Sequence, residues 1–98
     1  MLLSIKLTHL QGEISKELTV KIYDYNGKAN IVGKRILELR KKQKLSQEEL
    51  AAKMQLNNIE ISQKVISRIE KQERFVTDYE LLIFSRVLGV DIYDLLEP

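Results

Sequence analysis

The side chains best suited to specific chemistry lie in one short stretch, ISQKVISRIE, at positions 61–70. If this stretch is a helix, Ile66 and Ile69 form an apolar stripe and the polar residues lie on other faces. Those polar residues are Gln63, Lys64, Ser67 and Arg68. Lys and Arg bond guanine, and Gln forms a bidentate pair with adenine, at the major-groove edge of DNA. The alternative is that these side chains are only the solvated face of an ordinary amphipathic helix.

Residues that would support catalysis or metal binding are scarce. The chain of 98 residues has one histidine, His9, and no cysteine, so it offers no His pair and no thiolate set for a metal. Its four glycines are scattered and form no phosphate-binding loop. Glu48 and Glu49 are typical of a first helical turn, where acids suit the macrodipole. We therefore expect a protein that is not an enzyme and has no metal or other cofactor.

The charge of the chain is distributed unevenly, although the net charge is only +2. Residues 33–74 contain eleven Lys and Arg against six Asp and Glu, whereas residues 75–98 contain one Arg against five acids. A basic middle section of this kind favours an anionic partner, such as nucleic acid. Charge alone leaves open the simpler interpretation that these residues are solvated helix faces.

The first two dozen residues show a different pattern from the rest. Apolar side chains alternate with polar ones between Leu2 and Tyr25, which is typical of two short strands. The sequence DYNGKAN, at 24–30, is rich in turn-forming residues and marks a boundary. We expect a hairpin that covers the helical part, pairs with a second copy of itself, or is poorly ordered, because an isolated hairpin is marginally stable.

From residue 31 onward the apolar spacing becomes that of helices. SQEE at 46–49 and TDYE at 77–80 are capping boxes, and Gly89 suits a left-handed helix end. The pattern predicts helices at about 31–43, from Ser46, from near Ser62, from Thr77 and from Asp91. The expected core positions are Val32, Ile36, Leu39, Leu50, Ala51, Met54, Ile66, Ile69, Leu81, Leu82, Ser85 and Leu88. The last short turn carries Ile92, Leu95 and Leu96. We also expect Ala51 and Ala52 to permit a close helix approach.

Two of these stretches, LSQEELAAKM at 45–54 and SQKVISRIE at 62–70, closely resemble the Cro/repressor-type (XRE-like) helix-turn-helix family of DNA-binding regulators. The resemblance continues through VGKRILELRKKQKLSQEELA before them and TDYELLIFSRVLGVDIYDLL after them. It implies a mainly α fold, a five-helix lambda-repressor-like helix-turn-helix domain at 30–96. An N-terminal extension at 1–25, a β-hairpin-like arm, lies outside the resemblance.

The resemblance also implies roles for individual residues. In this family the third helix reads the major groove with its N-terminal residues nearest the bases. The positions that match base contacts are Ser62, Gln63, Lys64, Ser67 and Arg68, and those that match phosphate contacts are Gln47, Lys71 and Arg74. Arg40 and Glu70 match a partly buried, structural ion pair between the first and third helices.

Three features depart from the family pattern. The connection QLNNIEI, at 55–61, is about five residues longer than usual, and we expect Ile59 and Ile61 to pack partly against the body. Gln72 stands where glycine is common, so a left-handed backbone there would cost about 1 kcal/mol. Ile83 stands where a polar residue is usual, which suggests contact with the arm or with another chain.

The resemblance implies a sequence-specific transcriptional regulator, a repressor, that binds double-stranded DNA as a homodimer. The alternative is a protein-interaction module or an antitoxin-like protein that uses the same fold, with a protein partner bound through the N-terminal arm. No apolar run approaches the ~18 residues of a membrane span, so no membrane association is expected. The start lacks the features of a signal peptide, and the family implies a cytoplasmic location.

Overall fold

The computed structural model describes residues 25–97, and this part of the chain contains five helices and no sheet. The mainly α, five-helix prediction is confirmed. The β-hairpin-like arm predicted for residues 1–25 lies outside the described residues, except for Tyr25. The helices are α1 (Gly33–Lys42), α2 (Gln47–Leu56), α3 (Gln63–Glu70), α4 (Asp78–Leu88) and α5 (Ile92–Leu96).

Side-chain caps fix where four of these helices begin. Ser46 and Thr77 each accept a hydrogen bond from the backbone three residues on, and Glu49 and Glu80 complete the two predicted capping boxes. Ser62 caps α3, and Asp91 caps α5. The bond from the Ser46 backbone amide, reinforced by the Ser46 hydroxyl, holds the pKa of Glu49 below its usual value of 4.5. A charged Glu49 therefore stabilises the start of α2 until the pH falls through that lowered pKa.

A core of thirteen apolar side chains lies between the helices of residues 25–97. Most predicted core positions are buried, and Phe84, which was not predicted, is among the largest fully buried side chains. The prediction of Leu82 as a core residue is wrong, because the inward face of α4 carries Phe84, Ser85 and Leu88, and Leu82 lies 39% exposed on the outward face. Ala52 is likewise exposed, so only Ala51 packs inside.

The long connection between α2 and α3 folds back onto the body. Ile59 and Ile61 are both buried, as predicted, and the backbone reverses direction at Asn58, whose φ is +64°. Gln55 donates a hydrogen bond from Nε2 to the Ile61 carbonyl, 3.0 Å away. The connection therefore contributes two buried side chains to the core just before the start of α3. Leu56, at the end of α2, remains 85% exposed.

Residues 25–30 form a tight turn that docks on the end of α3. Tyr25 and Lys28 exchange two backbone hydrogen bonds, of 2.7 and 3.0 Å, across Asn26 and Gly27. The Ala29 amide then donates to the Gln72 carbonyl, 2.9 Å away. Gln72 has a φ of +63°, so the left-handed conformation is present there although the residue is not glycine. Ile83, the third unusual position, is partly buried and packs against the core.

The first residue of α1 allows a close approach between α1 and α3. Gly33 has no side chain, and a Cβ placed there would overlap the Ile69 carbonyl oxygen. The same Cβ would lie within 3.1 Å of Asn30 Oδ1 and Gln72 Cγ. Glycine is therefore required here by packing against a backbone atom, which cannot rotate away.

We predict that Gly33→Ala lowers the free energy of unfolding by about 1–3 kcal/mol, as overpacking of a close contact does. Urea denaturation followed by circular dichroism measures this change. Lys34→Ala, at an exposed position in the same helical turn, is the control and should change stability by less than about 0.5 kcal/mol. Equal stability of the two variants would contradict the close approach.

Candidate nucleic-acid interface

The third helix, α3, separates its side chains into an inward and an outward set. Ile66 and Ile69 are fully buried and attach the helix to the body. The candidate reading residues lie outside this stripe, and all of them are exposed except Ser67, which is half-buried. They are Ser62, Gln63, Lys64, Ser67 and Arg68. The structure therefore brings the five predicted base-contacting residues onto one short helix and its cap.

The end of α3 is joined to α1 by a nearly buried ion pair. Arg40 donates from Nε to Glu70 Oε2 at 2.6 Å and from Nη2 to Glu70 Oε1 at 3.0 Å. Its third nitrogen, Nη1, donates to the Leu45 carbonyl at 2.8 Å. The guanidinium thus uses its whole planar fork, which is the geometry that makes such pairs specific.

The same carboxylate begins a chain of hydrogen bonds that reaches the start of α3. Gln47 Nε2 donates to Glu70 Oε1 at 2.8 Å, and Gln63 Nε2 donates to Gln47 Oε1 at 2.6 Å. Gln47 and Gln63 are the first residues of α2 and α3. The two helix starts are therefore connected through the side chains of these two glutamines.

The hydrogen bonds from Gln63 to Gln47 and from Gln47 to Glu70 run in one direction only. This direction determines which donor and acceptor atoms of Gln63 remain exposed. A carboxylate only accepts hydrogen bonds, so the amide nitrogen of Gln47 must face Glu70. The Gln47 oxygen must then face α3 and accept from Gln63. One N–H of Gln63 is used in this bond, and its Oε1 and second N–H remain for another molecule. The buried Glu70 carboxylate thus sets the donor and acceptor pattern at the tip of α3.

The predicted phosphate-contacting residues have different surroundings. Lys71 is exposed at the C-terminal end of α3. Gln47 is half-buried, and its side chain is already hydrogen-bonded to Glu70 and Gln63. Arg74 donates from Nη1 to Glu80 Oε1 at 2.7 Å, and its guanidinium lies 5.4 Å from the centre of the Phe75 ring. Arg74 therefore stabilises the start of α4, and its contact with phosphate stays a prediction.

Asn30 holds two helices together, a role that the sequence analysis did not predict. From the sequence, this residue was only part of the turn-rich boundary at 24–30. Its buried side chain donates from Nδ2 to the carbonyls of Ile69 and Arg74, at 3.1 and 2.7 Å. Its Oδ1 accepts from the Gly33 amide at 2.8 Å. One amide thus joins the start of α1 to the backbone that follows α3. An asparagine three residues before a helical glycine is the only signal in the sequence, and it is weak.

Comparison with known proteins identifies the family to which this chain belongs. Residues 36–95 match the helix-turn-helix family HTH_3. The chain therefore belongs to the helix-turn-helix family, in its Cro/repressor-like (XRE-like) form, and is a DNA-binding transcriptional regulator.

One solved structure similar to this chain is that of the restriction-modification controller protein C.AhdI from Aeromonas hydrophila. It has 26% sequence identity and a TM-score of 0.58, and the match covers 65% of this chain and 86% of that protein. Comparison with curated proteins gave no match. None of the helices within residues 25–97 combines the length and apolar character needed to cross a membrane.

The buried ion pair leads to a prediction about stability. We expect Arg40→Met or Glu70→Leu alone to lower the free energy of unfolding by about 3–5 kcal/mol, because each leaves one buried charge without its partner. The double variant should lose less than the sum of the two single losses, because it leaves no unpaired charge. Urea unfolding of the four proteins measures the coupling. Strictly additive losses would contradict it.

Proposed function

We propose that this regulator reads the major groove of double-stranded DNA with α3 and represses transcription as a homodimer on a pseudo-palindromic site. The observation that carries the proposal is the hydrogen-bond chain from Arg40 to Gln63, which orients a side chain at the tip of an exposed helix. An ordinary solvated helix face has no need of such orientation. We also propose a cytoplasmic location and a regulatory rather than an enzymatic role, which membership of the helix-turn-helix family supports.

The bases read by α3 follow from the chemistry of its exposed side chains. Gln63 presents an oxygen and an N–H from one amide plane, which matches the N6 donor and N7 acceptor of adenine. Lys64 and Arg68 carry donors only, so they suit the O6 and N7 acceptors of guanine. Ser62 and Ser67 are short and suit either base or a nearby phosphate. We propose an operator half-site that contains at least one adenine and one guanine in the contacted steps.

Phosphate contacts would position α3 on the duplex. Lys71 follows directly from the end of α3, and the N-terminus of α2 carries free backbone amides that attract anions. Gln47 keeps one N–H beyond its bond to Glu70, so it is able to donate to a phosphate while it orients Gln63. We propose this double role for Gln47. Arg74 is the weakest candidate, because its guanidinium is already bonded to Glu80.

The name of the structurally similar protein suggests one biological setting. That protein is a restriction-modification controller protein, and we propose that this chain likewise controls the expression of other genes. Within residues 25–97, exposed apolar side chains such as Leu56, Tyr79 and Tyr93 favour the alternative function, a protein-interaction module or antitoxin-like partner. Salt distinguishes the two, because binding through several phosphates weakens steeply with rising salt and apolar docking does not.

The test is selection of binding sites from a random DNA pool at low salt, followed by measurement of affinity at several salt concentrations. We expect one enriched pseudo-palindromic motif with adenine and guanine at fixed positions. We also expect the logarithm of the affinity to fall linearly with the logarithm of the salt concentration. Failure to enrich any motif would refute sequence-specific reading, and affinity without salt dependence would favour the protein-interaction alternative.

A sharper prediction concerns Gln47 and Gln63. We expect both Gln63→Ala and Gln47→Ala to lose discrimination at the same adenine, by about 5- to 150-fold, because a bidentate pair contributes about 1–3 kcal/mol. Fluorescence anisotropy with the selected site and its single-base variants measures this. Lys64→Ala is the control and should relax a different base pair. If Gln47→Ala weakened all sequences equally, Gln47 would be only a phosphate contact.

The role of Lys71 is tested by the salt dependence of binding. We expect Lys71→Ala to weaken binding to all sequences alike and to reduce the slope of the salt plot by about 1. The matched control is Lys53→Ala, since Lys53 lines a surface groove with Leu56 and Val87 on the side of α4. An unchanged slope for Lys71→Ala would exclude this lysine from the interface.

A further inference from the structure

A groove with basic walls lies beside the turn that precedes α1. It encloses about 420 Å³ between the turn at 25–28, the first residues of α1 and Gln72. Six of its eight lining residues precede residue 36, where the match to the helix-turn-helix family begins. The groove is therefore a feature of this chain that lies largely outside the family match.

The charges in the lining of this groove leave two lysines without a partner. Lys28 and Lys34 are both exposed, and neither has an ion-pair partner within residues 25–97. The single acid of the lining, Glu38, lies 3.4 Å from Nη1 of Arg35, which also donates from Nε to the Asp94 carbonyl at 3.1 Å. The two lysines are therefore the charges of the groove that remain available for an anionic ligand.

Backbone hydrogen bonds attach this groove to the end of α3. The turn between Tyr25 and Lys28 is closed by two such bonds, and the next residue, Ala29, donates from its amide to the Gln72 carbonyl at 2.9 Å. Gln72 directly follows Lys71, the residue proposed above to contact phosphate. The groove is therefore continuous with the proposed phosphate contact at the end of α3, and the backbone of Lys28 is held in place there.

The length of α3 determines which part of a duplex faces the groove. Its 8 residues span about 12 Å, which is close to the ~12 Å width of the major groove of B-DNA. When the N-terminal residues of α3 are at the base edges, its C-terminal end lies beside the sugar-phosphate backbone that borders the major groove. The basic groove of the protein adjoins this end of the helix.

We propose that the groove beside the 25–28 turn binds phosphates of the DNA backbone next to the bases that α3 reads, with Lys28 and Lys34 as the contacting cations. Lysine suits this role because its ammonium is a compact charge with three donors on a flexible stem. The hydroxyl of Tyr25, which is 64% exposed in the same lining, supplies a further donor. The site adds affinity and register but no sequence information, and its place on the duplex rests on the proposed reading of DNA by α3.

The salt dependence of binding by the full-length protein tests the two lysines. We expect Lys28→Ala and Lys34→Ala each to reduce the slope of the salt plot by about 1, and the double variant to reduce it by about 2. The double variant should still select the motif of the parent protein. Lys28→Arg/Lys34→Arg, which keeps both charges, is the matched control and should keep the slope. Fluorescence anisotropy at several salt concentrations measures these changes.

Neutral methylphosphonate linkages, placed one at a time in the DNA that flanks the selected half-site, locate the contact. The parent protein should lose affinity when a linkage beside the contacted bases is neutral. The variant Lys28→Ala/Lys34→Ala should lose no further affinity there, because the cations that would respond are already absent. Lys53→Ala should respond like the parent protein, since Lys53 lines a different groove with Leu56 and Val87.

The groove and the proposed function fail in different ways. If the parent protein selects one motif and the double alanine variant keeps the slope of the parent, the groove lies outside the interface while base reading by α3 stands. If the parent selects no motif and the double variant still reduces the slope on non-specific DNA, phosphate binding by the groove stands without base reading. Circular dichroism and urea unfolding check that the variants are folded, as expected for changes of exposed side chains.

Three results would overturn the proposal. The folded double alanine variant would keep the slope of the parent protein, or the alanine and arginine pairs would lose slope equally, which would exclude the charge as the cause. In the third result, neutral linkages would affect the parent and the double alanine variant to the same extent. That outcome would place the flanking phosphates against another part of the chain.

Discussion

A carboxylate accepts hydrogen bonds and never donates them, and the candidate interface depends on where one buried carboxylate lies. Glu70 receives the planar fork of Arg40 on one side and the amide of Gln47 on another. The first contact joins α3 to α1, and the second fixes how the starts of α2 and α3 are connected. A single acidic residue therefore contributes to stability and to the donor and acceptor pattern of Gln63. The proposed reading of adenine follows from that pattern.

The position of α3 depends as much on backbone contacts as on the ion pair. Gly33 allows α1 to approach the Ile69 carbonyl, and Asn30 donates to the same carbonyl from the segment before α1. Ile66 and Ile69 exclude water beneath the helix. Because apolar packing alone permits rotation and sliding, the directional bonds at the C-terminal end of α3 are needed to give its outward side chains one orientation.

The longer connection and the outer face of α4 show how this chain differs from a minimal helix-turn-helix unit. Ile59 and Ile61 are the two buried residues of the connection, so the insertion adds two side chains to the core, and the polar side of α3 stays exposed. Phe84 packs into the core and so determines which face of α4 points inward. Leu82 therefore lies on the outside, although the apolar character of Leu82 suggested a core position. A periodic pattern with nearly continuous apolar residues, LLIF at 81–84, does not specify which side faces the core.

The sequence alone determined the features that arise from local chemistry. Capping residues, left-handed positions and apolar spacing specify the five helices, because each depends on groups within about four residues. The sequence also indicated which polar side chains of α3 are exposed. The family resemblance indicated that Arg40 pairs with Glu70. Only the tertiary structure decided that Gln47 connects Glu70 to Gln63, that Asn30 holds the end of α3, and that Arg74 is bonded to Glu80. These contacts join residues that are 6 to 44 positions apart, and most of their geometry follows from how the helices pack, which no local pattern encodes.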